Sequence, residues 1–600
     1  MAEYVAPTRE IRFVLDHVVD LAELVKLEPF QEITDDLVQA VLEEGGKFAA
    51  EKLSPLYAVG DRQGSVLDGD SVKTPDGFRE AYQAYVENGW NGICSPVDYG
   101  GQGMPQVIGT AVQEMMAGAN QAFTLCPILG QGAVEALEAH GTEEQQRIYM
   151  EKLVSGEWTG TMNLTEPQAG SDVGALRTRA EPMPDGTYRI NGQKIFISWG
   201  EHDMAENIIH LVLARLPGAP DGTKGISLFI VPKYLINEDG SLGEKNDLRA
   251  VSLEHKMGIH ASPTCVMSYG DNGNCVGYLI GGENQGMRSM FTMMNNARLN
   301  VGILGLCASE RGWQMALDYA RERRQGRAIG ATGEGKSPII EHADVRRMLM
   351  TIKSTNEAVR AIIYLNALSL DFSRHHPDGE VRRKYQGLAD LLTPISKAYG
   401  TDTGVENASL AVQVFGGMGY IEETGVAQVL RDARIHPIYE GTNGIQAMDL
   451  VGRKLSMDGG EHWQTFLGMI DDFLSAMPEI GELARFKENL VVLTSHCRET
   501  AEWLFARQQQ NMRDVAAGSV PFLRLMSIVT GGYLMARAAV AAQTRLEAGN
   551  GNGEEDFLRA KIATARFYGE QVVPTAVGLK DIIMSGDSLF YAIEEDHMAL

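Results

Sequence analysis

The sequence predicts a mainly α-helical chain with one β domain in its middle, on three observations. Helical spacing runs from about residue 30 to 158, β-rich runs occupy about 159 to 280, and helical spacing then returns. A composition of 44% hydrophobic and 22% charged residues is that of a globular protein with a substantial core. At 600 residues the chain has room for about three or four domains.

The first zone, 1–158, reads as an N-terminal extension and helices such as 35–52 and 76–89, broken by the loop Tyr99-Gly100-Gly101-Gln102-Gly103. In the second zone, 159–280, the runs 208–213 and 226–231 are rich in β-formers and separated by turn residues. Asn191-Gly192, between Tyr188-Arg189-Ile190 and the run 194–198, predicts a hairpin. In the third zone, 281–458, Val345, Met348, Leu349 and Ile352, resuming at Val359, Ile362 and Ile363, form an apolar stripe on one helix face. Gly459-Gly460 marks a boundary. Residues 459–600 read as an appended helical unit interrupted by Gly549-Asn550-Gly551-Asn552-Gly553. There is no internal repeat.

A net charge of −26 repels phosphate backbones and argues against nucleic-acid binding, leaving only a local patch at Arg321, Arg323, Arg324 and Arg327. Six cysteines without a Cys-x-x-Cys pair predict reduced thiols in a cytoplasmic protein, with neither a disulfide framework nor a metal site. Glu3, Arg9 and Glu10 interrupt the N-terminus before a secretory signal could form. The apolar stretch 525–536 lies between Arg524 and Arg537 and is shorter than the ~20 residues a membrane span needs, so a buried helix is expected.

Four segments could carry chemistry. Gly330-Ala331-Thr332-Gly333-Glu334-Gly335-Lys336-Ser337 matches the pattern of a phosphate-binding loop. That pattern works only between a buried strand and a helix whose N-terminus faces the phosphates. Here a charged helical segment precedes it and Glu334 sits inside it, so a surface loop is expected. The second segment, Met162-Asn163-Leu164-Thr165-Glu166-Pro167-Gln168-Ala169-Gly170-Ser171-Asp172, offers hydroxyls and small residues that admit a flat ligand. The third, Gln413-Val414-Phe415-Gly416-Gly417-Met418-Gly419-Tyr420, permits close approach to a ligand or another helix. The fourth is Arg431-Asp432-Ala433-Arg434-Ile435-His436-Pro437-Ile438-Tyr439-Glu440-Gly441-Thr442-Asn443-Gly444-Ile445-Gln446. A carboxylate between apolar neighbours and a glycine can occupy a pocket that raises its pKa, as a general base requires; a helix-end glutamate is the plainer alternative.

In this order and at these separations the segments resemble the acyl-CoA dehydrogenase family over roughly residues 80–455. The resemblance also rests on Gly89-Trp90, the stretch 194–200, Lys256-Met257-Gly258-Ile259, Ala261-Ser262-Pro263-Thr264, 319–323 and Glu341-His342. Tyr4-Val5-Ala6-Pro7, the length and the added C-terminal unit are most similar to the branch that contains 3-methylmercaptopropionyl-CoA dehydrogenase. The resemblance implies a helical domain, a middle β-barrel, a helical bundle and the appended helical domain. It implies FAD-dependent α,β-dehydrogenation of an acyl-CoA, the β-hydride passing to flavin N5, with a short or medium, or sulfur-containing, acyl chain. Electron-transferring flavoprotein is the implied acceptor, and a homodimer or dimer of dimers the implied assembly. A DNA-associated relative of the alkylation-response kind is the alternative.

Residue by residue, the resemblance implies that Glu440 is the base. Met162, Leu164, Thr165, Ser171, Phe196, Ser198 and Thr442 lie around the flavin, and Arg323, Gln413 and Gly417 hold its adenine and pyrophosphate, partly across a dimer interface. Ser171, Arg298, Tyr439 and Gly441 face the substrate. Some relatives carry the base just before the Arg298 position, but Ala297 stands there. Other departures are Gly326 where an aromatic commonly follows the interface arginine, Phe196 for a tryptophan, and Gly444 for a glutamine. The segment between Arg323 and His342 is longer than in shorter relatives, and the phosphate-loop look-alike lies inside it.

Overall fold

The β zone forms an eight-stranded sheet. Its strands are β1 (Trp158–Asn163), β2 (Arg179–Pro182), β3 (Tyr188–Ser198), β4 (Asn207–Arg215), β5 (Ile226–Pro232), β6 (Leu248–Leu253), β7 (Thr264–Tyr269) and β8 (Val276–Ile280). The order is β6-β7-β3-β8-β5-β4-β1, and β2 pairs with both β3 and β4. The path β3-β8-β5-β4-β2-β3 therefore returns on itself, closing a barrel without a free edge on that circuit. Here and below the structure is a computed structural model, and it describes residues 4–549 and 553–599. Asn550, Gly551 and Asn552 of the glycine-rich loop lie outside the described residues.

β4 and β5 read as continuous apolar runs because both of their faces are covered. Val212, Ala214, Phe229 and Val231 point to the barrel interior with Ile190, Met267 and Tyr269. Leu211, Leu213, Leu228 and Ile230 join Leu129, Ala133 and Leu137 of the helix Gln121–His140 on the other side.

Two local expectations are corrected. Tyr188–Ser198 is one strand and does not turn at Asn191-Gly192. The glycine is needed instead for close approach, since a Cβ there would lie 2.4 Å from the Thr178 hydroxyl oxygen. Within the first helical zone, Val66–Asp68 and Ser71–Lys73 pair around Gly69-Asp70, a two-residue hairpin turn.

By packing, the chain forms two compact units. One is Glu44–Pro105 with Met115–Asn300 and contains the barrel; the other is Met1–Glu43, Gln106–Glu114 and Val301–Leu600. The second unit is helical, with Ala343–His375, Gly379–Phe415, Val426–Ala433 and Asn443–Gly452 followed by Glu461–Ala476, Ala484–Arg507, Met512–Glu547 and Glu555–Phe567. The chain breaks at Asp458, Gly459 and Gly460, whose φ values are 47°, 66° and 92°. Met512–Glu547 is long and apolar enough to cross a membrane, but 83% of its most apolar window is buried in the protein, as in a core helix. The C-terminal helices are also joined to this unit by charge. Lys561 is buried and donates to Glu357 at 2.7 Å and to Glu10 at 2.8 Å, while Arg360 pairs with Glu114 and Glu310.

Candidate active site

Between the helices Val426–Ala433 and Asn443–Gly452 the chain makes the turn that holds Glu440. Thr442 caps the second helix by accepting from the Ile445 amide at 3.2 Å. The Asn443 amide donates to the Pro437 carbonyl at 3.0 Å, closing the loop behind the glutamate. Glu440 is left-handed at φ 56°, followed by Gly441 at φ 81°. A left-handed glutamate is costly and persists only where its surroundings over-determine it, a pattern concentrated at functional sites.

Those surroundings are specific. The Lys397 ammonium donates to the Gly441 carbonyl at 2.9 Å and to Asn443 Oδ1 at 2.8 Å. Gln446 Nε2 reaches the Glu440 and Gly441 carbonyls at 3.3 and 3.4 Å. Tyr439 stacks on His436 with ring centroids 5.9 Å apart. Burial and the Lys397 charge hold His436 down at about 3, so the ring is neutral across the physiological range. Burial and the neighbouring Glu440 push the Tyr439 phenol well up. The third ionisable side chain of this turn, the Glu440 carboxylate, is half-buried.

In the barrel unit, Met162 lies one residue before the end of β1, and the half-buried Leu164 and Thr165 follow the strand. They are strapped to β3: the Ile195 amide donates to the Thr165 carbonyl at 2.9 Å, and Lys194 to the Leu164 carbonyl at 2.9 Å. Lys194 also pairs with Glu166 at 2.9 Å, both side chains buried. Glu166 in turn accepts from the Arg177 amide and the Thr178 hydroxyl, each at 2.6 Å. Phe196 is left-handed at φ 59° and 59% exposed, an aromatic ring the barrel core does not use. Ser198 pairs in register with Thr264, and Ser171 is exposed on the loop beyond. Arg298 is buried on the helix Gly286–Glu322 beside Ala297, which packs with Met290 and Met293.

In the helical unit, Tyr319 stacks on Phe415 at 4.2 Å and 11°. That contact brings the helix end carrying Arg323 to the helix end carrying Gln413 and Gly417, and all three residues are exposed. The loop 323–342 folds back on itself, Ser337 N donating to the Gly326 carbonyl at 2.9 Å and Gln325 N to the Ser337 carbonyl at 3.1 Å. No strand enters the 330–337 segment. Pro338 leads only into the short 3₁₀ turn Ile339–Glu341, so the architecture of a phosphate-binding loop is missing.

Most of the predicted residues thus form three local groups, the base turn, the β1–β3 strap and the paired helix ends, while Ser171 and Arg298 stand outside them. Lys397 was not singled out from sequence, and Asn443, Gln446, Glu166 and Lys194 stood inside the quoted motifs without a role of their own. The available signal for Lys397 was a lone cation within the apolar run Ile395-Ser396-Lys397-Ala398-Tyr399.

Comparison with known proteins completes the picture. Family models described as the acyl-CoA dehydrogenase N-terminal, middle and C-terminal domains match residues 36–157, 161–271 and 284–455. One described as "Acetyl-CoA dehydrogenase C-terminal like" matches 466–594. The 3-methylmercaptopropionyl-CoA dehydrogenase of Ruegeria pomeroyi is 45% identical, over 98% of this chain and 99% of that relative. A butyryl-CoA dehydrogenase of Syntrophomonas wolfei is 36% identical over 99% of each chain. In fold, the chain is similar to an acyl-CoA dehydrogenase from Bacillus anthracis crystallised with FAD, with a TM-score of 0.73, 18% identity, and coverage of 99% of this chain and 94% of that one. Both sequence relatives are dehydrogenases, and the DNA-associated alternative finds no support. Matched by family models from its first helical zone to its last, and by a full-length relative at 45% identity, the chain belongs to the acyl-CoA dehydrogenase family.

Proposed function

We propose that this chain is an FAD-dependent dehydrogenase of short acyl-CoA thioesters, 3-methylthiopropanoyl-CoA foremost, with Glu440 as the α-proton base. The observation that carries the reading is the turn at Glu440, a carboxylate held in a left-handed conformation by a buried network. The preference for a sulfur-containing substrate rests on the 45% identical relative; butyryl-CoA is the runner-up on the 36% identical one.

The residues fit the flavin. The exposed ring of Phe196 offers an aromatic face, and a Cβ added at Gly416 or Gly417 would meet nothing within 4 Å, leaving open backbone near Gln413. In the barrel unit, Met162, Leu164, Thr165, Ser171, Phe196 and Ser198 would meet the isoalloxazine end; in the helical unit, Thr442 would meet the flavin, and Arg323, Gln413 and Gly417 would hold the adenine and pyrophosphate end. When bound, FAD supplies the acceptor for the β-hydride. The Glu440 carboxylate takes the α-proton, so that loss of a proton and a hydride leaves trans-2-enoyl-CoA. The Glu440 amide donates to the thioester oxygen as negative charge develops there, a contribution of about 2.7–4 kcal/mol for a preorganised donor. Tyr439, Gly441, Arg298 and Ser171 would line the acyl-CoA. At the barrel a cavity of about 720 Å³ is lined by Arg177 and Arg179 with Glu181, and these two arginines would suit the phosphates of coenzyme A, whereas Arg215 beside them donates to the Leu176, Pro220 and Gly222 carbonyls.

The same reading makes the protein a homodimer or dimer of dimers, with the exposed Arg323 and Gln413 reaching cofactor across the interface. It passes electrons to an electron-transferring flavoprotein and works in the cytoplasm, where its six free thiols stay reduced. Anaerobic titration with a panel of acyl-CoAs tests it. Bleaching of the flavin absorbance should be fastest with 3-methylthiopropanoyl-CoA and butyryl-CoA; no bleaching by any acyl-CoA would defeat the reading.

A further inference from the structure

The mechanism leaves unused a buried cation beside the base. Lys397 is 0% exposed in the middle of the helix Gly379–Phe415, where an isolated ammonium is strongly disfavoured. It donates to the Gly441 carbonyl and to Asn443 Oδ1, both of the base turn. Asn443 is gripped by the same helix: its side-chain amide donates to Asp402 Oδ1 at 2.7 Å, Thr401 Oγ1 at 2.9 Å and the Ala398 carbonyl at 3.2 Å. One helix thereby fixes the residues one and three places after Glu440 through a single buried polar cluster. An apolar residue would fill the volume of the lysine but leave the Gly441 carbonyl and Asn443 Oδ1 without this donor. A compact ammonium with three donors does what an apolar side chain cannot: it holds two acceptors two residues apart in one geometry.

We propose that Lys397 is the positioning residue for the base, its ammonium locking the Gly441 carbonyl and Asn443 so that Glu440 keeps its left-handed conformation and aim. The proposal rests on the reading of Glu440 as the base. It places no contact between Lys397 and substrate or cofactor, so its loss should be felt in the rate of proton removal and not in binding.

The test is stopped-flow flavin reduction of the holoenzyme by butyryl-CoA, with the apparent Kd, flavin content and melting temperature measured in parallel. Lys397→Met should lower the limiting rate by about 10²-fold, as misplacement of a catalytic group by about an ångström does, while the apparent Kd and flavin content stay within about threefold. Ethylammonium should restore at least about a tenfold increase to Lys397→Ala, and sodium chloride at the same concentration should not. If Lys397→Met does not fold, Asn443→Ala decides: a loss of about tenfold or more in limiting rate with flavin retained supports the proposal, and a smaller loss overturns it. A Lys397→Met enzyme faster than about a tenth of wild type overturns it, as does a rate loss that only tracks lost flavin. Glu440→Gln separates the two claims. If that enzyme is fast, the base reading fails; if it is slow and Lys397→Met is fast, only the positioning role fails.

Discussion

Replacing Lys194 with Met removes one partner of the buried pair that straps the Leu164-Thr165 segment to the barrel. Burial alone would raise the Glu166 carboxyl, but the Lys194 ammonium, the Thr178 hydroxyl and the Arg177 amide bring it from its ordinary 4.5 to about 2. Burial brings Lys194 from 10.5 to about 8, against the pull of Glu166. Each displacement corresponds to roughly 3 kcal/mol, stabilising for Glu166 and costly for Lys194 at neutral pH, so the intact pair is near break-even. Removing only the cation destroys that balance and strands a buried carboxylate, at about 3–5 kcal/mol. For a unit of this size that lowers the melting temperature by about 10 °C. The Leu164 carbonyl loses its donor in the same step, so flavin retention should fall as well. The pH dependence follows from the directions. In wild type the Glu166 contribution is complete above about 4.5 and is lost as pH falls towards 2, whereas the Lys194 cost is relieved as pH rises from about 8 towards 10.5. In the variant, burial without the ammonium holds the Glu166 carboxyl up, so its cost should ease as pH falls and the variant should lose less stability in acid than wild type does. Differential scanning calorimetry at pH 7 with flavin quantitation measures both effects, and Lys194→Met with Glu166→Gln, whose neutral amide oxygen still accepts from Thr178, should recover part of the lost stability. A shift under about 3 °C with normal flavin content would refute the reasoning.

Mass spectrometry of the heat-released cofactor should find FAD; FMN or no flavin would contradict the assignment of Arg323, Gln413 and Gly417. Arg323→Ala should weaken FAD retention and the assembly together, read by sedimentation with absorbance at the flavin band, because alanine cannot replace a charge-assisted contact to pyrophosphate. Lys336→Ala should leave dehydrogenase activity within about threefold of wild type and calorimetry should detect no ATP binding, since the loop lacks a strand before it and a helix N-terminus after it.

The order of helical and β zones was legible because hydrophobic period is a local property: 208–213 and 226–231 became β4 and β5, and the stripe from Val345 to Ile363 became one face of a helix. Asn191-Gly192 misled because a glycine demanded by Thr178 on the neighbouring paired segment looks, along the chain, the same as one demanded by a turn. The hairpin at 66–73 carried its Gly69-Asp70 signal inside a zone dominated by helices. Glu440 taken singly was an ordinary glutamate before glycine, and the ordered set of motifs singled it out. Lys397 and Glu166 stayed hidden for a different reason. A charged residue on a helix or strand is usually solvated, and only packing between positions 28 to 46 residues apart shows that these are buried and what they hold. The tie between Lys561 and Glu10, separated by 551 residues, was likewise beyond any local signal.

Glu440→Gln tests the central claim most directly. The amide keeps the shape of the carboxylate, and the network of Lys397, Asn443 and Gln446 holds backbone carbonyls and the Asn443 side chain that the substitution leaves in place. Ala297 provides no substitute carboxylate on the helix Gly286–Glu322. Flavin content, melting temperature and acyl-CoA affinity should therefore remain near wild type. Stopped-flow reduction by butyryl-CoA should fall by at least ~10³-fold, and a variant that reduces its flavin at more than about a tenth of the wild-type rate would contradict the assignment of the base.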